Sequence, residues 1–173
     1  MKTTCDVLIV GAGLAGLLAA RTLTRSGYDV IVLDKGRGVG GRLATRRFAG
    51  GRFDHGAQFI SVRSTEFETI MQEWVQADAA VLWSHGFADG WTGDGSLLTA
   101  GPDGTASVHT PARDGHPRYR GAAGMPSIAK HLARGIDVRL GVAATAVQPA
   151  AETGTVEPSH RWRVEAEAGR SYQ

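Results

Sequence analysis

The sequence has a single cysteine, no long uninterrupted apolar run and no large excess of either charge. Because Cys5 stands alone, the chain can form neither an intrachain disulfide nor a cysteine-based metal cluster. Glycines interrupt the apolar stretch from Val7 to Ala20, so no transmembrane helix is predicted. The formal net charge of +2 is too small to recruit nucleic acid or a membrane through the overall field. We therefore expect a cytoplasmic protein with neither of these partners.

The histidines also lack a functional pattern. All six are scattered, without the close pairing that a metal site requires and without a Ser, His, Asp order that would predict a triad. The sequence therefore predicts no metal site, and it identifies no catalytic residue.

Glycine, in contrast, is abundant: 24 of the 173 residues, about twice the average share, which indicates tight turns and close backbone approaches. The first cluster follows an apolar run, Cys5 to Val10, that is typical of a buried parallel strand. A helical pattern begins at Leu14 and ends near Gly27, and Tyr28 to Asp34 is predicted as a second strand. The chain therefore opens with a strand, helix, strand unit.

This cluster fits a dinucleotide-binding fingerprint, because it lies between a strand and a helix and Asp34 ends the next strand. Gly11 permits the tight turn, Gly13 lets the backbone touch a pyrophosphate, and Gly16 allows close packing of helix on strand. The helix start offers free N–H groups to phosphate, and Asp34 can accept hydrogen bonds from a ribose. The candidate phosphate-binding residues are Gly11, Ala12, Gly13, Leu14, Ala15 and Gly16.

Residues beyond Asp34 predict a mixed architecture. Lys35 to Arg52 is expected to be a loop without regular structure, and Thr65 to Ala80 a helix that begins with a Thr65, Glu68 capping box. Turn signals at 88–90, 93–95 and 101–104 divide the region from Val81 to Arg120 into short pieces, as antiparallel hairpins require.

A further helix is predicted from Met125 and Pro126, followed by strands at 136–140, 143–147 and 161–167. The predicted fold is α/β: a Rossmann-like FAD/NAD(P)-binding domain with a parallel sheet and an antiparallel β insertion. The predicted divisions are a dinucleotide-binding part at 1–80, the insertion and start of a substrate domain at 81–120, and a return to the first domain at 121–173.

NAD and FAD sites share the opening unit, so the residues after Asp34 must distinguish them. A second glycine pair, Gly40 and Gly41, lets the chain lie close under a cofactor, and Arg42 can give a forked hydrogen bond to phosphate. These details favour FAD. An NAD(P)-binding enzyme, or an RNA-associated protein that uses the arginines at 37, 42, 46, 47 and 52, stays open as an alternative.

Three segments carry a family resemblance: DKGRGVGGRLATRR from Asp34, FDHGAQF from Phe53, and RYRGAAGMPSIAKHLARG from Arg118. Together and in this order, they resemble the renalase-like branch of the flavin amine oxidase superfamily. The resemblance implies that FAD is held by the first glycine turn, by Asp34 and Lys35, and by Gly41 and Arg42. It further implies a segment beside the flavin made of His55, Gly56, Ala57, Gln58 and Phe59.

The chemistry implied is hydride transfer from a reduced substrate to flavin, with oxygen as acceptor and hydrogen peroxide as product. The renalase-like branch implies an isomeric dihydronicotinamide nucleotide as substrate; the alternatives are an amine, or a fragment that binds FAD or NAD(P) without turnover. Many superfamily members have glutamate where Asp34 stands, so the ribose contact would use a shorter side chain. Since family members are considerably longer, we expect this fold to be incomplete, with a C-terminal half missing.

Overall fold

The computed structural model describes residues 2–85, 97–100, 106–109, 115–149, 162–167 and 170–172. The chain divides into two compact units, one formed by 1–58 and 123–173 and the other by 59–122. The elements in chain order are β1 (Val7–Val10), α1 (Leu14–Arg25), β2 (Val30–Asp34), β3 (Thr45–Phe48), β4 (Gly51–Asp54), β5 (Ile60–Ser61), α2 (Thr65–Gln76), β6 (Ala80–Ser84), β7 (Leu97–Ala100), β8 (Ala106–His109), β9 (Arg118–Gly121), α3 (Pro126–Leu132), β10 (Asp137–Leu140), β11 (Ala144–Pro149), β12 (Trp162–Ala166) and β13 (Arg170–Tyr172).

A parallel sheet of order β1-β2-β10 lies at the centre of the first unit. Its middle strand β2 is buried from Val30 to Leu33, as expected for an apolar strand covered on both faces. Helix α1 packs against β1 and β2 and buries Leu17 and Ala20 completely. The predicted α/β fold with a parallel sheet and an opening strand, helix, strand unit is therefore confirmed.

A second sheet in this unit, of order β11-β12-β13, is antiparallel. Side chains of this sheet, including Val164 and Tyr172, form one apolar cluster with Ile31 and Leu33 of β2. Cys5 packs at the edge of that cluster, and burial raises the pKa of its thiol. A cavity of about 1010 Å³ lies beside the cluster, lined by β1 and by residues of β11, β12 and β13.

The prediction of a structureless loop from Lys35 to Arg52 is wrong at its end. Strands β3 and β4 form an antiparallel hairpin there, with Thr45 opposite Asp54 and Phe48 opposite Gly51. Both residues of the two-residue turn have positive φ, 47° at Ala49 and 78° at Gly50, which is the geometry of a type I′ turn. Ala-Gly is not the usual sequence of such a turn, so the hairpin gave no clear signal.

The second unit contains a sheet of order β5-β9-β6, on which α2 packs with Met71 and Trp74 buried. The predicted antiparallel arrangement is confirmed for the described strands, including β7 with β8. The predicted turns at 88–90, 93–95 and 101–104 lie outside the described residues.

Helix α2 differs from its prediction at both ends. Helix α2 ends at Gln76 rather than Ala80, which belongs to β6, and the hydroxyl of Ser64 caps it by accepting from the Phe67 amide at 3.3 Å, where a Thr65, Glu68 box was predicted. The second compact unit starts at residue 59, and α2 packs on β6 of that unit; the divisions predicted at 1–80, 81–120 and 121–173 stay a prediction. Among the described residues, no helix is long and apolar enough to span a bilayer.

Candidate functional site

The first glycine turn, residues 11–16, joins β1 to α1. Gly11 has φ +107°, which L side chains rarely adopt, and its amide donates to the carbonyl of Leu33 at 2.7 Å. A Cβ on Gly16 would overlap the carbonyl oxygen of Gly11, so the helix can approach the turn this closely only without a side chain. At Gly13, a Cβ would meet no atom within 4 Å. The backbone at Gly13 therefore faces open space.

The start of α1 is free of the groups that would normally occupy it. Its N-cap, Gly13, has no side chain to cap the helix, and the first turn carries no acidic residue. Ala15 is exposed, and Leu14 is only partly buried. The first N–H groups of a helix have no acceptor within the helix and lie at the positive end of its dipole. This end of α1 is therefore suited to bind an anion such as a phosphate.

Asp34, at the end of β2, ties two loops together. One carboxylate oxygen accepts from the amide of Ala12 at 2.6 Å, and the other accepts from the amide of Gly36 at 2.6 Å. The carboxylate thus faces the first glycine turn, and it holds that turn in place. A carboxylate offers about four acceptor positions, so each oxygen can accept a further donor such as a ribose hydroxyl. Lys35, the next residue, is exposed.

The second glycine turn, Gly40 and Gly41, lies directly against the first. The amide of Gly40 donates to the carbonyl of Ala12 at 2.7 Å, and Gly40 forms an isolated parallel bridge with Gly13. Gly41 has φ +54°, and a Cβ on it would lie 3.4 Å from the Cα of Gly13. The exposed side chain of Arg42 follows immediately. Residues 12–13 and 40–42, which the sequence predicts as one site, are therefore brought together.

The segment after β4 continues this arrangement. The amide of Ala57 donates to the carbonyl of Arg42 at 2.9 Å, and the amide of His55 donates to that of Ala44 at 3.1 Å. A Cβ on Gly56 would overlap the Arg42 carbonyl, so only glycine permits this approach. His55, Gly56, Ala57 and Arg42 therefore lie together, and the exposed Gln58 is the last residue of this part of the unit.

Phe59, the last of the predicted flavin-segment residues, is the first residue of the second unit. The guanidinium of Arg118 lies 5.4 Å from the centroid of the Phe59 ring, and the ring of Trp83 lies 6.2 Å from it. These contacts account for the ring's partial burial.

A polar cluster around Asp54 gave no clear pattern in the sequence. The carboxylate of Asp54 accepts from the hydroxyl of Thr45 and, at 3.1 Å, from the amide of Met125. Gly124 has φ +92°, and a Cβ there would lie 2.7 Å from the Thr45 hydroxyl oxygen. The cluster ties the β3–β4 hairpin to the segment before α3. In the sequence, only Gly124, next to Met125 and Pro126, indicated a close contact at this place.

Both glycine turns lie within a segment, residues 9–74, that matches the model of the NAD(P)-binding Rossmann-like domain. This part of the chain has a Rossmann-like fold. This match covers the fingerprint, Asp34, the second turn and the 55–59 segment.

Several of the similar proteins are amine oxidases. A protein named as a flavin-containing monoamine oxidase, AofH, of Mycobacterium tuberculosis is 54% identical over 57 residues, which are 33% of this chain and 13% of that protein. Putrescine oxidase of Kocuria rosea is 44% identical over 68 residues, 39% of this chain and 14% of the relative. These relatives support the superfamily that the sequence predicts, but not the renalase-like branch specifically.

Solved structures of putrescine oxidase extend the similarity in fold to almost the whole chain. One mutant has a TM-score of 0.70 at 16% identity, covering 99% of this chain and 56% of that chain. The wild-type enzyme bound to putrescine has a TM-score of 0.69 at 15% identity, covering 99% of this chain and 57% of that chain. The chain thus spans little more than half of these neighbours.

Proposed function

We propose that this chain provides the FAD-binding part of an FAD-dependent oxidoreductase of the flavin amine oxidase superfamily. The observation that carries the proposal is the direct stacking of the two glycine turns, joined by the 2.7 Å hydrogen bond from Gly40 to Ala12. The first turn alone would suit NAD or FAD. The second turn and the 55–57 segment add further backbone beside the first turn, and the exposed Arg42 follows that turn directly, which suits FAD.

The residues have distinct roles in this proposal. Gly13 and the amides of Leu14 and Ala15 bind the pyrophosphate, Arg42 neutralises its charge, and Asp34 orients the first turn while accepting a ribose hydroxyl. When bound, FAD would supply the redox chemistry, namely the capacity to oxidise a reduced substrate by hydride transfer and to be reoxidised by oxygen with release of hydrogen peroxide. As the resemblance to the renalase-like branch implies, the substrate proposed for this protein is an isomeric dihydronicotinamide nucleotide.

Amine oxidation is the second candidate, and the comparisons favour it. The relatives include putrescine oxidase, and a solved neighbour is that enzyme bound to putrescine. A preparation that consumes oxygen with amines and not with isomeric dihydronicotinamides would select this reaction over the renalase-like one. A preparation that binds FAD and turns over neither would be a cofactor-binding module.

Titration with FAD, followed by quenching of flavin fluorescence, tests the cofactor directly. Gly13→Ala is the informative variant, because Gly13 has φ −77° and open space around it, so the ligand-free fold accepts a methyl group there. The added methyl would lie where the pyrophosphate must approach. We expect Gly13→Ala to weaken FAD binding at least a hundredfold and to melt within a few degrees of the unsubstituted protein.

Gly38→Ala is the matched control, since it adds the same methyl group at an exposed glycine that also has open space and no positive φ. It should bind FAD with unchanged affinity. Failure of the purified chain to bind FAD, or equal binding by both variants, would contradict the proposed site.

A further inference from the structure

The β3–β4 hairpin carries a concentration of positive charge that the cofactor site does not use. Between Asp34 and Asp54 the chain has six basic residues and no acidic one, although its overall net charge is only +2. Three of these residues, Arg46, Arg47 and Arg52, lie on the hairpin, and all are exposed. Within the described part of the chain, their guanidinium groups make no hydrogen bond or ion pair.

The strand register opposes two of these charges directly. Arg47 lies across from Arg52, and because opposite residues share a face of an antiparallel pair, both guanidinium groups project from the same side. Like charges directly opposite each other destabilise a sheet, and a two-stranded hairpin is only marginally stable by itself. The hairpin therefore retains an unfavourable pair that an anionic partner would neutralise.

The tip of the hairpin is apolar, in contrast to the strands behind it. Phe48 is 68% exposed, the highest value among the large apolar side chains described, and Phe53 is 57% exposed. The ring of Phe53 leans over Gly51 towards the tip, since a Cβ on that glycine would lie 2.7 Å from the ring. Residues 48–51 contain no charge. Phe48 beside the turn and Phe53 therefore lie on one face of the hairpin, which they share with Arg46, while Arg47 and Arg52 project from the other face.

We propose that this hairpin docks on an anionic lipid surface, with Phe48 and Phe53 entering the boundary between headgroups and acyl chains. Because the hairpin enters by its tip, the arginines of both faces lie at headgroup depth, where they neutralise lipid phosphates and relieve the Arg47, Arg52 repulsion. Single-stranded nucleic acid fits less well, because base stacking requires aromatic rings along a basic groove. Here only Arg46 shares the face of the two rings. The inference rests on the hairpin alone and does not depend on FAD binding.

Flotation of the full chain with vesicles provides the test. Vesicles of phosphatidylcholine alone are compared with vesicles that also contain phosphatidylglycerol, at low and high salt. We expect binding only to the anionic vesicles and a loss of binding as salt rises. Each arginine near such a surface contributes about fivefold, so R46Q/R47Q/R52Q should bind on the order of a hundredfold more weakly. Phe48→Ser should lose about tenfold at unchanged charge.

Two further variants separate docking from general effects. Arg63→Gln removes an exposed arginine outside the hairpin and should bind as the unsubstituted protein does. R46K/R47K/R52K changes the same three positions but keeps their charge, and it should retain most of the binding. A loss of binding in the glutamine variant alone can therefore be assigned to charge rather than to the loss of the arginine side chains. Absence of binding to anionic vesicles, or glutamine and Phe48→Ser variants that bind normally, would overturn the proposal. Binding of single-stranded RNA in place of vesicles would overturn it as well.

Discussion

The first glycine turn and the β3–β4 hairpin both depend on a short turn with positive φ, but they constrain the sequence very differently. In the first turn, Gly11 has φ +107° and Gly16 lies against the carbonyl of Gly11, so both sterics and conformation demand glycine. In the hairpin, Ala49 adopts φ 47° at an exposed tip, where a methyl group meets no neighbouring element. Close backbone approach fixes residue identity, whereas an exposed turn tolerates strain.

The largest expected effect follows from the close approach in the first turn. Gly16→Ala places a methyl group on a backbone oxygen that cannot move without shifting β1 or α1. Overpacking of this kind costs about 3 kcal/mol, and more where the backbone must move. We expect a decrease of that size in the free energy of unfolding, measured by urea denaturation. Gly38→Ala, at an open glycine, should leave stability nearly unchanged; an equal result for the two variants would disprove the close packing of α1 on the turn.

The next effect concerns the carboxylate that holds the first turn. Asp34→Ala removes the acceptor of two 2.6 Å hydrogen bonds, from the amides of Ala12 and Gly36. Hydrogen bonds to a charged group contribute about 1.5–3 kcal/mol, so a loss of about 2 kcal/mol in the free energy of unfolding is expected. Asp34→Asn should lose less, because its carbonyl oxygen still accepts one amide. If Asp34→Ala melts as the unsubstituted protein does, the carboxylate does not organise this turn.

The first glycine turn could be predicted from the sequence, whereas the β3–β4 hairpin could not. A buried apolar strand, three glycines at fixed spacing and Asp34 are local signals with physical causes, so the strand, helix, strand unit followed from them. The sequence also predicts that Gly40 and Gly41 lie close under a cofactor, and the structure brings this pair against the first turn.

Contacts between distant residues could not be predicted in the same way. Asp54 accepts from the amide of Met125, 71 positions later, and no local pattern indicates that pairing. The hairpin gives no clear signal in the sequence, because its turn lacks an Asn or Asp before the glycine and because its strands, Thr-Arg-Arg-Phe and Gly-Arg-Phe-Asp, are mostly polar and do not alternate apolar with polar residues. The short strand β13 likewise depends on its pairing with β12 rather than on its own composition.

The strain at the hairpin tip can be released by substitution. Ala49→Gly removes the side chain that disfavours positive φ and should raise the free energy of unfolding by about 1 kcal/mol. Ala19→Gly, at an exposed position inside α1, should instead lower it by about 1 kcal/mol. A higher melting temperature for Ala49→Gly and a lower one for Ala19→Gly, each relative to the unsubstituted protein, would support the type I′ turn. Destabilisation by both would mean that Ala49 is not left-handed in solution.

The smallest expected effect tests the repulsion across the hairpin. Arg47→Thr removes the like charge opposite Arg52 and should raise the melting temperature slightly, as expected for a gain of about 0.2–1 kcal/mol. Because exposed charges are screened by salt, this gain should decrease from low to high salt. Arg46→Thr, opposite Phe53, makes the same change of side chain without removing a repulsive pair and should give no salt-sensitive gain. A gain that is independent of salt would reflect the strand propensity of threonine, and the hairpin would then carry no electrostatic strain for an anionic surface to relieve.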